Sequence, residues 1–454
     1  MRRFLIAIAV ISAVVAVTAA VVWWIQDDGS AAARRAWQPP PSPVFSSPMR
    51  VQPVAGWRMS TTDLGLPPPV DGMEPGRIGT DNDPFRSRPF IGNLDDHAYF
   101  LASTPATPGP QWWMIGVDVR SGKRLFAPIQ LGATTLPPEC FLNGRANMLC
   151  INDESHTAYV VELRSGTVTH TGPTDLRLGY GKLAVEQVGI YAVAKTQDQG
   201  VYGIGPRAET TWFVPGDGLI RPITETGFET TPQTLGAQLS TDARAYDMTV
   251  FSVSDGKVVK PEIHHDAHLG ETEIYPGGFA AAIETKPKRL EVHFFDDTGK
   301  RLSDRAVHGV VRESIGLPVV ASDDQSTIYS PAGKKLLDLP EGATRLVGST
   351  LFVNENDSDA FPMWRQYDLE TGDKGPACDF SMSNFLGTNG SVIVFEVRNP
   401  KAEIVAKARD LATCDTLWTL PKRVDSFAKV WRVNTTLVQL SDDGTELFSL
   451  VAPS

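Results

Sequence analysis

The chain has 454 residues, with 42 Lys and Arg against 53 Asp and Glu, and its net charge of −11 disfavours a nucleic-acid partner held through phosphate contacts. Hydrophobic residues make up 42% of it, too many for a disordered chain and enough for a large core. The 39 Gly and 34 Pro imply many turns, which over this length favours a body of short β-strands over a helical bundle.

Residues 1–3, with Arg2 and Arg3, precede an uncharged apolar run over 4–25. At about 1.5 Å per residue this run matches the hydrocarbon thickness of a bilayer. Asp27 and Asp28 follow it and Trp23-Trp24 sit near its end, so it predicts an uncleaved signal anchor with a cytoplasmic N-terminus and an extracytoplasmic body. Cleavage near Thr18-Ala19-Ala20 or Ala31-Ala32-Ala33 is the rival reading, but the run is long for a signal-peptide core. No Cys lies nearby, which excludes a lipoprotein anchor. Residues 26–55 read as a Pro-rich linker, with Pro39-Pro40-Pro41, Pro43, Pro48 and Pro53 favouring an extended, semi-rigid spacer that lifts the body off the membrane.

From residue 85 onward one pattern recurs: an apolar strand, a polar turn, a second strand ending in a polar residue, a Ser/Thr-Gly turn, and a further short strand. Clear copies are IGVDVRSGKRLF at 115–126, YVVELRSGTVTH at 159–170, TVFSVSDGKVV at 249–259 and HFFDDTGKRL at 293–302. Each carries β-branched and aromatic residues around a Gly able to take positive φ, which is a hairpin signal. Gly122, Gly166, Gly256, Gly299, Gly333, Gly372 and, in the equivalent place, Cys414 are separated by 44, 90, 43, 34, 39 and 42 residues, and a degenerate mark near Gly205 divides the long interval. A period of about 40 residues with four short strands is the signature of a β-propeller. A second, acidic turn alternates with the first, as in Asn152-Asp153-Glu154, Ser240-Thr241-Asp242 and Ser322-Asp323-Asp324. The last unit, LVQLSDDGTELFSL, lacks its final strand, so residues 56–64 are expected to supply it and close the ring. Eight full units and a partial one are counted. The expected fold is all-β, a single propeller of about eight four-stranded blades over residues 56–454, with seven blades as the alternative.

The segments DLETGDKG at 368–375 and DLATCDTLW at 410–418 resemble the D-x-x-T-G-x-x-L-W signature of pyrroloquinoline-quinone-like propeller repeats, with Cys414 in place of the usual Gly. Trp418 holds the terminal aromatic position; Phe126, Phe213 and others stand in elsewhere. That family contains quinoprotein dehydrogenases and non-catalytic envelope scaffolds, so the resemblance implies a fold and leaves activity open. The adjacent Cys-Cys pair typical of its dehydrogenases is missing from this sequence, which counts against quinone binding.

An even Cys count in an extracytoplasmic body predicts disulfides. Cys140 and Cys150 bracket a hairpin turned at Asn143-Gly144 and are expected to pair across it; Cys378 and Cys414 would then link neighbouring blades. For metal ligation the candidates are His264, His265 and His268, three of the eight His within five residues, on a loop after Pro261. Asp81-Asn82-Asp83 and the run from Asn354 to Asp359 resemble fragments of calcium loops but lack the Gly and the distal Glu of an EF-hand, and read better as Asx turns. Trp112, Trp113, Trp212, Trp364, Trp418 and Trp431 read as packing between blades, with stacking on a sugar or planar cofactor as the sharper alternative. No nucleophile elbow or phosphate loop occurs.

The sequence therefore predicts a membrane-anchored, non-catalytic binding or scaffold protein of a bacterial cell envelope. Its expected partners are other envelope proteins or a cell-wall component, with no nucleic acid and no cofactor. The alternatives are an exported quinoprotein-like enzyme, which would bring pyrroloquinoline quinone, and a metal-binding envelope protein acting through the His264–His268 cluster.

Overall fold

A computed structural model describes residues 29–453 apart from 39–44, 70–71, 80–88, 108, 222–232, 242–246, 265–266, 286–288, 313–314, 323–324, 341 and 357–361. The anchor expected over residues 4–25 lies outside these, and among the described residues no helix is long and apolar enough to cross a membrane.

The repeat motif is a turn held by its own carboxylate. In the copy at Asp368 the side-chain Oδ1 accepts from the Glu370 and Thr371 amides while Gly372 N donates to the Asp368 carbonyl at 2.7 Å. Asp118 and Glu162 do the same ahead of Gly122 and Gly166. The fifth residue must adopt left-handed φ, 83° at Gly372, which is why Gly recurs there. Cys414 takes that conformation with φ 65°, one of the few non-Gly residues to do so. Such hairpins build antiparallel sheets, nine among the described residues. Eight come from consecutive chain, from sheet 1, which holds Arg77–Ile78 and Phe90–Leu94, to sheet 8, which ends with Thr416–Pro421. The expected all-β propeller is therefore present, with these eight sheets and a ninth in its ring. The partial terminal unit becomes sheet 9, in which the strands Val430–Val433, Thr436–Leu440 and Glu446–Val451 are joined by Val54–Ser60 from the N-terminal side.

First strands of neighbouring sheets touch: Phe90–Leu94 against Glu139–Asn143, that against Ala184–Val188, and Phe385–Thr388 against Val430–Val433. Fourth strands such as Thr167–Pro173 are mostly solvent-facing, so first strands form the hub and fourth strands the rim. One apolar cluster fills each seam between consecutive sheets, including the seam where sheet 9 meets sheet 1 through Val433, Val438 and Leu447 against Phe100, Ile115 and Val117. There Trp431 packs on Phe90 and Phe100 at centroid distances of 5.9 and 5.4 Å. The ring is closed.

Aromatic side chains lock the seams by lying over the turn glycines of the next sheet. A Cβ on Gly122 would come within 2.5 Å of Trp57, and those on Gly256 and Gly333 would strike Trp212 and Phe294. Trp57 and Trp418 also donate their indole N–H across a seam, to the Val119 and Met49 carbonyls, each at 2.7 Å. In sheet 3 it is Trp212 that covers the neighbouring glycine, and Phe213, expected in that role, is exposed on the opposite side of the strand. The six tryptophans singled out above are packing residues: Trp112, Trp364 and Trp418 are buried and Trp113, Trp212 and Trp431 join core clusters.

The Pro-rich stretch departs from a free spacer where it is described. Helix Ser30–Ala36 docks over sheets 6 and 7, with Ala33 in their shared cluster and Arg34 Nη1 donating to the Leu336 carbonyl at 2.8 Å. Phe45 and Met49 then wedge between sheets 8 and 9, and Arg50 pairs with Asp410 at 2.7 Å. Burial of these apolar side chains holds the described parts of the stretch against the ring. Cys140 and Cys150 are direct cross-strand partners with Cα atoms 4.0 Å apart, and Cys378–Cys414 ties sheet 7 to sheet 8 across 36 residues.

Candidate interaction face

Antiparallel order sends the turns between strands 1 and 2 and between 3 and 4 to one end of the ring. The turn between strands 2 and 3 and the connection to the next sheet leave at the other end. The Ser/Thr-Gly turns thus share one face, here the glycine face, and the acidic turns share the opposite, connector face. The N-terminal segment runs over the glycine face. Phe45 N donates to the Thr388 carbonyl and Ser46 N to that of Thr435, both at turns between strands 1 and 2.

On the connector face of sheets 1–4 three apolar side chains stand in solvent, each on a connection between successive sheets: Leu136 (62% exposed), Tyr180 (103%) and Leu219 (58%). Their backbones are tied down. Glu154 accepts from the Thr135 and Leu136 amides at 2.9 and 3.4 Å, and Asn152 donates to Thr134 Oγ1 at 2.7 Å. The connection bearing Tyr180 is closed by Arg177 N donating to the Leu183 carbonyl, by the Arg177 guanidinium on the Thr174 and Leu176 carbonyls, and by Leu183 N on Thr196 Oγ1. Tyr180 sits between Gly179 and Gly181, both at positive φ with nothing within 4 Å of where a Cβ would be, so the ring stands clear of the body. Below Leu219, the fully buried Gln238 amide donates to the Val214 carbonyl and accepts from Gly218 N. Further backbone bonds, Thr174 N to His156 O, Gly216 N to Gln199 O and Asp198 N to Asp217 O, join these connections to the acidic turns as one belt.

The belt is acidic. Asp153, Glu154, Asp175 and Asp198 are exposed around the three apolar tips, against Lys182, a half-buried Arg221 beside Leu219 and an Arg177 already committed to backbone carbonyls. On the opposite face carboxylates serve the turns and are held below their ordinary range: Glu162 chiefly by the Ser165 hydroxyl, and Asp410 by the Ala412 and Thr413 amides with Arg50 beside it.

The connection from sheet 4 to sheet 5, which carries the histidines, starts at the glycine-face turn of sheet 5, where Glu262 N donates to the Gly299 carbonyl, and reaches the connector face at His268. His268 Nδ1 approaches Asp247 at 3.2 Å, His264 is exposed, and His265 lies outside the described residues. Among the described residues no three His, Cys, Asp or Glu side chains converge on a metal position. Asn354 behaves as an Asx turn, accepting from Asn356 N and Met363 N, while Glu355 pairs with Arg365 at 2.8 Å; residues 81–83 lie outside the described set. Sequence reasoning did not single out Leu136, Tyr180 or Leu219. The flanking glycines of Tyr180 are the one local signal that could have marked it.

A family model described as a conjugation-associated 9-bladed β-propeller domain matches residues 29–453. The chain belongs to that family. An uncharacterized protein of Mycolicibacterium smegmatis (strain MKD8) is 37% identical over 434 residues, covering 92% of this chain and 88% of the relative. The nine sheets agree with the family description, and the match starts at residue 29, where the docked N-terminal segment begins. Among solved structures, a eukaryotic initiation factor is similar at 9% identity and TM-score 0.44 over 79% of this chain and 98% of that one. A dihydro-haem d1 dehydrogenase, NirN, is similar at 14% identity and TM-score 0.32 over 75% and 81%. The matched family is thus the conjugation-associated one, and the likeness to quinone-binding repeats rests on the turn motif alone.

Proposed function

We propose that this propeller is a non-catalytic docking platform in the envelope part of a DNA-conjugation apparatus, held outside the cytoplasm by the anchor expected over residues 4–25. The observation that carries the reading is membership of a conjugation-associated family combined with a closed ring whose chain enters on one face and whose rigid apolar tips stand on the other. A chain tethered through residue 29 on the glycine face turns the connector face away from the membrane. Connections whose backbones are already held by hydrogen bonds lose little backbone entropy on docking, which suits a platform.

Two measurements test this. Deleting the gene in a donor or recipient strain should lower the frequency of DNA transfer, and the intact gene should restore it; unchanged transfer in both strains refutes the role in conjugation. A reporter that works only in the cytoplasm, fused after Ser454, should be inactive, and activity would refute the topology.

A further inference from the structure

We infer that the belt carrying Leu136, Tyr180 and Leu219 is the docking surface for a basic protein segment, one that offers apolar side chains or pockets to the three tips and Lys or Arg to the carboxylates between them. The inference rests on the platform reading above and names the chemistry of its partner.

Soluble proteins seldom hold several large apolar side chains out in water on fixed loops unless something covers them. Here the exposure is built: Glu154, Arg177 and Gln238 each spend their hydrogen bonds on holding a connection in place, and the positions either side of Tyr180 have no other part of the body within 4 Å. A tyrosine exposed over its whole surface, on a loop whose base is held by hydrogen bonds, offers the large amphipathic area that anchors interfaces. Complementarity fixes the sign of the partner. Asp153, Glu154, Asp175 and Asp198 surround the tips, so a nucleic acid or an acidic surface is repelled and a basic one is drawn in. In an apparatus that moves DNA, this ring therefore handles a protein component.

The test uses the full-length protein in its own cells and a carbodiimide, which joins a carboxylate to an amine in direct contact without leaving a spacer. The expected result is an adduct, mapped by mass spectrometry, between Asp153, Asp175 or Asp198 and a lysine of a different protein. Tyr180→Ser should reduce the adduct by about tenfold or more, the loss of one hot-spot aromatic. A photo-crosslinking residue at 136 or 219 should capture the same protein, and combined Asp153→Asn, Asp175→Asn and Asp198→Asn should sharply reduce that capture. All these positions are exposed, so the variants should melt with the wild type.

The inference is overturned by an adduct insensitive to Tyr180→Ser or by adducts confined to glycine-face carboxylates such as Glu370. It is also overturned by an adduct joining two copies of this chain, by Tyr180-dependent sedimentation with purified peptidoglycan, or by retention of single-stranded DNA at about 150 mM salt. If the belt adduct forms as expected while gene deletion leaves DNA transfer unchanged, the docking surface stands and the place in conjugation falls.

Discussion

Replacing Trp57 with Ala should open the ring at its seam. Trp57 stands on the one strand contributed by the N-terminal side of sheet 9, packs against the cluster shared with sheet 1, covers Gly122 and donates its indole N–H to the Val119 carbonyl at 2.7 Å. A fully buried tryptophan removes about 200 Å² from water, worth about 5 kcal/mol at ~25 cal/mol per Å². Trp57 is partly exposed, so about half of that applies, and the unpaired Val119 carbonyl adds about 1 kcal/mol. The expected loss is about 3.5 kcal/mol, which against ~2.1 cal/mol/K of unfolding entropy per residue lowers the melting temperature by about 4 °C. Differential scanning calorimetry of the purified body reads this directly, and limited proteolysis should cut the variant first between residues 54 and 65. Trp57→Phe keeps most of the ring and loses only the hydrogen bond, so it should show about a third of the effect. If Trp57→Ala melts with the wild type while Trp212→Ala, at an interior seam, does not, closure by the N-terminal strand is refuted.

Converting Cys378 and Cys414 to Ser together should destabilise the protein on the order of 3 kcal/mol by freeing a 36-residue loop, and the Cys140 and Cys150 pair, separated by 10 residues, should matter less in the same denaturant titration. Gly333→Ala adds a Cβ about 2.5 Å from Phe294 at φ 70°, whereas Gly277→Ala at φ 88° meets nothing within 4 Å, so the first should lower the urea midpoint distinctly more than the second. Asp296 is held below its ordinary 3.8 chiefly by the Thr298 hydroxyl, and Asp410 by the Ala412 amide. A depressed carboxylate stabilises the fold above the unfolded-state value and loses that contribution as pH falls through the folded one, so the melting temperature should drop as pH is lowered from about 5 to 3. Asp296→Asn with Asp410→Asn should flatten that limb; an unchanged acid profile would show that these turns do not report on folding. Phe45→Ala should expose the N-terminal segment before Val54 to protease while leaving the ring intact, because Phe45 is the wedge between sheets 8 and 9.

The sequence by itself determined the hairpins, because their chemistry is local: a carboxylate reaches the amides two and three residues on, a glycine takes positive φ at the fifth position, and both facts are written in neighbouring letters. From the resulting period it followed that the chain forms a propeller, and from the missing last strand that residues near 56 close it. Cys140 and Cys150 were legible for the same reason, sitting across one turn. Only the tertiary structure decided what depends on distant residues meeting. The Pro-rich stretch cannot announce that Phe45 and Met49 find a gap between sheets 8 and 9, or that Arg34 reaches Leu336, since those partners lie some three hundred residues away or more. Nor does the sequence distinguish Trp212 from Phe213, which differ only in the side of the strand they occupy. The belt of Leu136, Tyr180 and Leu219 was hidden for a related reason. Each is a single apolar residue in its own loop, and the three become one surface because antiparallel order sends every connection between sheets to the same face of the ring.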